Sequence, residues 1–375
     1  MSIVIINATA IKTSGALTVL NDFVSYIEKD LNYGNEYHLF TVVNDFYNLN
    51  NIQVHKLKSQ TWLSRIWWDN GGLQKWCNKI KLEPDVIISL QNTSTKYKKK
   101  NGMMIVQLVY YHQPIPLYNW NEFDHSFKII LYHYFYPFFV RMNNVKSHYV
   151  VQIPYMKELF CKKFKNISPD RVTVIYPCKP RININAIMEK TFFNEEKKFV
   201  YLYPATSLSY KNHVVLISAL VKLGKNNPDI QKKIIILFTV DALSDNIMND
   251  INLNNLGSCL KFIGQIQYKE LLMYYKMVDA LLFPSKMESF GFPLLEGSCF
   301  GLPIIACNLP YAKEVLVDYN NKYFIDPDDV EAWADAICEY KKYSKVIPDN
   351  TIVYENSWKI FIDLVDKIVL EQRNE

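Results

Sequence analysis

The chain has 375 residues, 49% apolar and 21% charged, the make-up of an ordinary globular protein of about two domains. Its formal charge of +5 hides an uneven division: residues 1–178 carry 20 Lys and Arg against 12 Asp and Glu, and residues 179–375 carry 22 against 25. The longest apolar run, Ile129 to Val140, has 12 residues where a membrane span needs about 20, and the apolar start, Ile3 to Ile11, has no basic segment before it and reads as a strand rather than a signal peptide. Seven cysteines without a CxxC pair or a His at metal-ligand spacing fit reduced thiols in the cytosol. Glycine is scarce, 11 residues where about 7% is usual, so each one is a candidate for a position that tolerates little else.

In chain order, Ser2–Ala8 predicts a strand, followed by the turn Lys12-Thr13-Ser14-Gly15 and a helix with Leu17, Leu20, Val24 and Ile27 on one face. His38–Val43, Asp85–Leu90, Met104–Tyr110, Ser147–Gln152 and Val172–Tyr176 follow as strands separated by helical stretches. Residues 179–196, with little apolar periodicity, read as a linker between a first domain, 1–178, and a second, 197–355. The second domain predicts strands at Phe199–Tyr203, Lys233–Phe238, Leu260–Ile263, Ala280–Phe283 and Pro303–Ala306. Its helices are predicted at His213–Leu223, Tyr268–Met277, Pro293–Phe300 and Val330–Tyr343. A last amphipathic helix, Asn356–Glu371, places Trp358, Phe361, Val365 and Ile368 on one face, and the segment 356–375 is expected to pack back on the first domain. Alternation of this kind means crossover units and parallel sheets. The expected fold class is α/β, two doubly wound Rossmann-like domains facing across a cleft, with ligands at the carboxyl ends of the strands.

The most informative stretch is FPSKMESFGFPLLEGSCFGLP, residues 283–303. A strand ends at Phe283, a turn carries Glu288 and Gly291, and Pro293 suits the start of a helix. The amides at such a terminus are suited to an anion, and Gly291 allows close approach of the backbone to a ligand. Glu288 in the turn and Glu296 early in the helix can accept hydroxyls of a sugar and of a ribose. Acidic residues near a helix start are also favoured by the macrodipole alone, so the ordered context around the pair carries the functional reading.

This stretch resembles the E-x7-E signature of family 4 (group 1) retaining glycosyltransferases of the GT-B fold. Tyr203-Pro-Ala-Thr206-Ser-Leu-Ser-Tyr-Lys211-Asn-His213 is similar to that family's phosphate-binding turn, and Phe262-Ile-Gly264 followed by Tyr268–Tyr275 to its next loop and helix. Phe324-Ile-Asp-Pro-Asp328 is similar to its usual ending, and Ser14-Gly15-Ala-Leu-Thr18 to a degenerate form of its first glycine loop. The resemblance implies a hexosyltransferase dependent on a nucleoside-diphosphate sugar, with no metal and no cofactor. It implies that Glu288 holds hydroxyls of the donor sugar, that Glu296 takes the ribose, and that the amides of Phe290, Gly291 and Phe292 hold the sugar or its phosphate. Lys211 would pair with the diphosphate. The position of Thr206 is commonly Arg in the family, so either Lys211 and the helix terminus suffice or another cation, Lys286 or Lys12, replaces it. Gly15 and Gly264 are expected where backbone meets donor or acceptor, and His112, at the end of the strand Met104–Tyr110, where the two sugars meet. No nucleophilic side chain is implied.

Twelve aromatics in residues 110–139, Trp120 among them, and Trp62, Trp67, Trp68 and Trp76 beside Lys58, Arg65, Lys75 and Lys79 suit an anionic membrane surface as well as a Tyr-rich core. The expectation is a transferase working on a glycan acceptor, lipid-linked, in bacterial surface polysaccharide assembly such as O-antigen or capsule. It would be cytoplasmic and peripheral on the inner face of the plasma membrane, with no nucleic-acid partner. The alternative is a non-catalytic nucleotide-sugar-binding protein of the same fold.

Overall fold

Continuous apolar runs bounded by turn residues become strands buried on both faces, as parallel sheets require. The computed structural model describes residues 2–12, 14–29, 34–46, 49–118, 127–178, 182, 184–187, 198–346 and 357–374. Trp120 and most of the 179–196 segment lie outside the described residues. The chain divides into two compact units. The first holds the described residues up to 178 together with 357–374, and the second holds those from 182 to 346.

Among the described residues the first unit has seven strands: β1 (Ile3–Ala8), β2 (Glu36–Thr41), β3 (Ile52–Lys56), β4 (Val86–Ser89), β5 (Val106–Tyr110), β6 (Ser147–Val151) and β7 (Val172–Val174). Their order across the sheet is β3-β2-β1-β4-β5-β6-β7, and every pairing is parallel, with Ile5 opposite His38 on one side and Ile87 on the other. The order reverses between β1 and β4. Its helices are α1 (Ser14–Lys29), α2 (Trp62–Trp67), α3 (Leu73–Lys79), α4 (Phe127–Ile130), α5 (Tyr136–Arg141) and α6 (Pro154–Lys163). Wider helical turns join α2 to α3, at Trp68–Gly72, and α4 to α5, at Leu131–Phe135.

Among the described residues the second unit has six strands: β8 (Phe199–Tyr203), β9 (Ile234–Phe238), β10 (Leu260–Phe262), β11 (Ala280–Phe283), β12 (Ile304–Cys307) and β13 (Lys322–Ile325). They lie in the order β10-β9-β8-β11-β12-β13, again all parallel, with the reversal between β8 and β11. The helices are α7 (His213–Asn226), α8 (Pro228–Gln231), α9 (Asp245–Leu253), α10 (Tyr268–Met277), α11 (Phe292–Cys299), α12 (Pro310–Val315) and α13 (Val330–Cys338). The final helix, α14 (Ser357–Asn374), belongs to the first unit. There Trp358 and Phe361 meet the Phe23 ring of α1 at 4.8 and 5.5 Å, and both approach Tyr110 of β5.

Three differences from the sequence reading have physical causes. Phe292, not Pro293, is the first residue of α11, because Gly291 takes the cap position with φ 93° and leaves proline one place further in. The helix expected at Val330–Tyr343 stops at Cys338, and Tyr340–Lys342 forms a separate tight turn. The third is β3, whose Ile-Gln-Val-His-Lys alternates as an edge strand does, with only Ile52 buried. Among the described residues no helix is long and apolar enough to cross a membrane.

Candidate active site

In the second unit the β8–β11 reversal is the place where side chains from both halves of a doubly wound sheet can converge. Lys211 follows β8 by a short turn, and Glu288 follows β11. They meet: Lys211 Nζ donates to Glu288 Oε1 at 2.5 Å, with both side chains largely withdrawn from solvent. The turn that carries Lys211 is fixed by its neighbours. The Tyr203 hydroxyl donates to the Lys211 carbonyl, and Asn212, left-handed at φ 58°, donates through Nδ2 to the Pro327 carbonyl at 2.7 Å. The Lys211 ammonium also lies 5.4 Å from the Tyr210 ring centre.

Gly291 caps α11 in a left-handed conformation, where a Cβ would meet Leu294 Cδ1 at 3.3 Å. Phe290 is buried beneath it, and Phe292 is half-buried. The aligned amides of α11 give this end partial positive charge. Gly301, just past the helix, has φ 68°, and a side chain there would collide with the Val346 carbonyl. Gly297 serves packing: its missing Cβ lets α11 sit against Leu281 of β11.

Glu296 is buried one turn into α11 and accepts a hydrogen bond from the Tyr275 hydroxyl at 2.8 Å. Burial pushes its carboxyl up to about 7, against the pull of the Tyr275 and Tyr268 hydroxyls. Thr206, where the resemblance places an arginine, is exposed. The two candidate substitutes already have partners: Lys286 pairs with Asp328, and Lys12 Nζ donates to the Gln60 carbonyl at 3.4 Å. Gly264 is left-handed at φ 75° but follows β10, the edge strand, two strands from β8. The structure thus brings Lys211 and Glu288 into contact, with Gly291 in the same turn as Glu288, and places Gly264 directly after β10 in the same sheet.

In the first unit, Gly15 is an exposed second residue of α1. His112 follows β5. Its amide donates to Asn92 Oδ1 at 2.6 Å, and its ring Nε2 lies 3.5 Å from Asn92 Nδ2. Burial, with Arg65 nearby, pushes this imidazole down to about 4, so it is neutral at physiological pH.

Sequence reasoning missed a buried polar hub at the β1–β4 reversal. Gln91, 1% exposed, donates to Asp69 Oδ1 at 2.9 Å and accepts from the Ala10 amide at 3.0 Å and the Thr9 hydroxyl at 3.2 Å. Its carbonyl accepts from Arg65 Nη2 at 2.7 Å and the Tyr136 hydroxyl at 3.1 Å. Thr93 Oγ1 donates to Asp69 Oδ2 at 2.8 Å. The available signal was Arg65 and Asp69 four residues apart in an otherwise aromatic helical segment. Nearby, Trp62 of α2 meets Phe139 of α5 edge to face at 5.2 Å, while Trp67, Tyr134, Phe135 and Phe138 are exposed. Among the described residues no group of three or more His, Cys, Asp or Glu side chains could hold a metal ion.

Solved structures match the chain over its whole length. Sucrose-phosphate synthase from Thermosynechococcus elongatus is 14% identical with a TM-score of 0.67, covering 99% of this chain and 97% of that one. Anabaena Alr3699/HepE in complex with UDP and glucose is 14% identical with a TM-score of 0.64, covering 100% and 99%. The fold is GT-B. The family model "Glycosyl transferases group 1" matches residues 183–350, which relates the second unit to that family. Among curated proteins, the O-antigen chain mannosyltransferase RfbU of Salmonella typhimurium is 26% identical over 225 residues, 59% of this chain and 58% of that protein. A D-inositol 3-phosphate glycosyltransferase of Paenarthrobacter aurescens is 26% identical over 140 residues, 37% of this chain and 34% of that protein. These matches span between about a third and three fifths of the relatives' own length.

Proposed function

We propose that the protein is a glycosyltransferase that moves a hexose-type sugar, with retention of configuration and without a metal, from a nucleoside-diphosphate sugar to a glycan acceptor. The observation that carries this reading is the contact of Lys211 and Glu288 across the β8–β11 reversal, beside the amino end of α11. As the sugar leaves, negative charge grows on the departing diphosphate. A lysine ammonium and helix amides fixed in place offset that charge without reorganising. Glu288 then exchanges part of its pairing with Lys211 for hydroxyls of the donor sugar, while the diphosphate takes up the ammonium. Glu296, at the next turn, accepts the ribose hydroxyls. Thr206 supplies no charge, so Lys211 and the helix end carry the diphosphate between them.

The acceptor in this reading is a growing surface polysaccharide on a lipid carrier, in O-antigen or capsule assembly. The curated O-antigen relative and the basic, aromatic first unit support it. The enzyme would be cytoplasmic and held peripherally at an anionic membrane surface. Replacement of Glu288 tests the catalytic reading. Glu288→Ala should lower transfer by about a hundred- to a thousandfold, with circular dichroism and melting temperature near those of the parent. Undiminished transfer would remove Glu288 from the mechanism.

A further inference from the structure

The second unit contains a contact that the donor-site reading does not use. Tyr275 of α10 and Glu296 of α11 are both enclosed, and the phenol donates to Glu296 Oε2 at 2.8 Å. The Tyr275 ring is itself held, stacked on Phe300 with centroids 5.6 Å apart and planes at 25°. The next residue of α11, Gly297, has no side chain to hold the helix off Leu281 of β11, so the backbone that carries Glu296 is closely packed. We propose that Tyr275 is a positioning residue for Glu296: its hydroxyl orients the carboxyl and keeps it an acceptor for the vicinal hydroxyls of a ribose. This rests on the reading of Glu296 as the ribose-binding residue.

The physical argument is one of competing effects. Burial favours a neutral carboxyl, and a neutral carboxyl gives one of its positions to a proton. A ribose offers two hydroxyl donors, which an ionised carboxylate, with about four lone-pair sites, can accept alongside a phenol. Burial alone drives Glu296 upward, and the Tyr275 hydroxyl is the first opposing influence, followed by that of Tyr268. Tyr275 remains a donor throughout, since burial holds its own phenol well above the usual value. Without that hydroxyl, Glu296 would keep its proton to higher pH and lose its fixed orientation.

The test is calorimetric binding of UDP, GDP and ADP, each beside its 2′,3′-dideoxy counterpart, to the parent and to Tyr275→Phe between about pH 5.5 and 8.5. The proposal expects the parent to bind a ribonucleotide more tightly than the dideoxy form, with the preference fading as pH falls. It expects Tyr275→Phe to weaken ribonucleotide binding about tenfold at neutral pH, to move the pH midpoint upward, and to leave dideoxynucleotide binding unchanged. Equal weakening of both forms at an unmoved midpoint would make Tyr275 a packing residue and overturn the proposal. Equal affinity of the parent for both forms would overturn it whatever the variant does, while leaving the diphosphate site intact. No binding of any nucleotide would remove the donor-site reading as well.

Discussion

The two sheets reverse their strand order in the same way, between β1 and β4 in one unit and between β8 and β11 in the other, yet the polar groups placed there differ in kind. At the first reversal Gln91 joins Asp69, Arg65, Tyr136, Thr9 and Ala10 in a network whose members satisfy one another. At the second, Lys211 and Glu288 form an ion pair, and a carboxyl raised to about 7 lies a turn away. A closed network of neutral and charged groups rigidifies a loop cluster. A cation, a carboxylate and helix amides set side by side can instead trade their contacts for those of a charged, hydroxylated ligand. Equivalent topology therefore yields a scaffold in one unit and a candidate site in the other.

That contrast can be broken by substitution. The largest effect on stability is expected at Gln91. Gln91→Leu removes the partner of the Ala10 amide and of an Asp69 oxygen, while the Thr9 hydroxyl keeps Asn7 and Gln60 as acceptors, and should cost about 2–4 kcal/mol in denaturant unfolding. Nucleotide binding by the second unit should be unaffected; a neutral effect on stability would show that the hub is solvated. Glu296→Gln should act in the opposite direction and more weakly. The folded-state value of about 7 lies above the ordinary 4.5. Its stabilising contribution is therefore full at acid pH and is lost as pH rises through 7. Removing the ionisation should stabilise the protein by about 1–3 kcal/mol at pH 8, a gain that shrinks toward pH 5, while nucleotide affinity falls. An equal gain at both pH values would contradict the burial argument.

Much of the second unit was legible in its sequence. Phe199–Tyr203 and Ala280–Phe283 form where continuous, sharply bounded apolar runs place them, and Tyr268–Met277 forms where apolar residues recur at helical spacing. The first unit was harder. The helical stretch from Trp62 to Lys79 is broken at Gly71, which takes φ 122° and interrupts the periodicity. In the second unit the exception is α9, Asp245–Leu253, which buries only Ile251 and carries little apolar signal. At the site, Glu288, Gly291 and Glu296 were visible as a local pattern, whereas the Lys211–Glu288 contact joins residues 77 apart and depends on strand order. The Gln91 hub was hard to see for the same reason: its partners come from three separate segments, Thr9 and Ala10, Arg65 and Asp69, and Tyr136, and an isolated glutamine has no pattern.

The central claim is that the β8–β11 reversal binds the diphosphate of a nucleotide sugar through Lys211. The most direct measurement is a thermal-shift panel of UDP, GDP, dTDP and ADP sugars on the parent and on Lys211→Ala. At a hundredfold excess over the dissociation constant, one donor class should stabilise the parent by about 2.7 kcal/mol, a rise of several degrees, and Lys211→Ala should abolish most of that rise. A parent that none of the four stabilises, or a shift that survives in Lys211→Ala, would contradict the account.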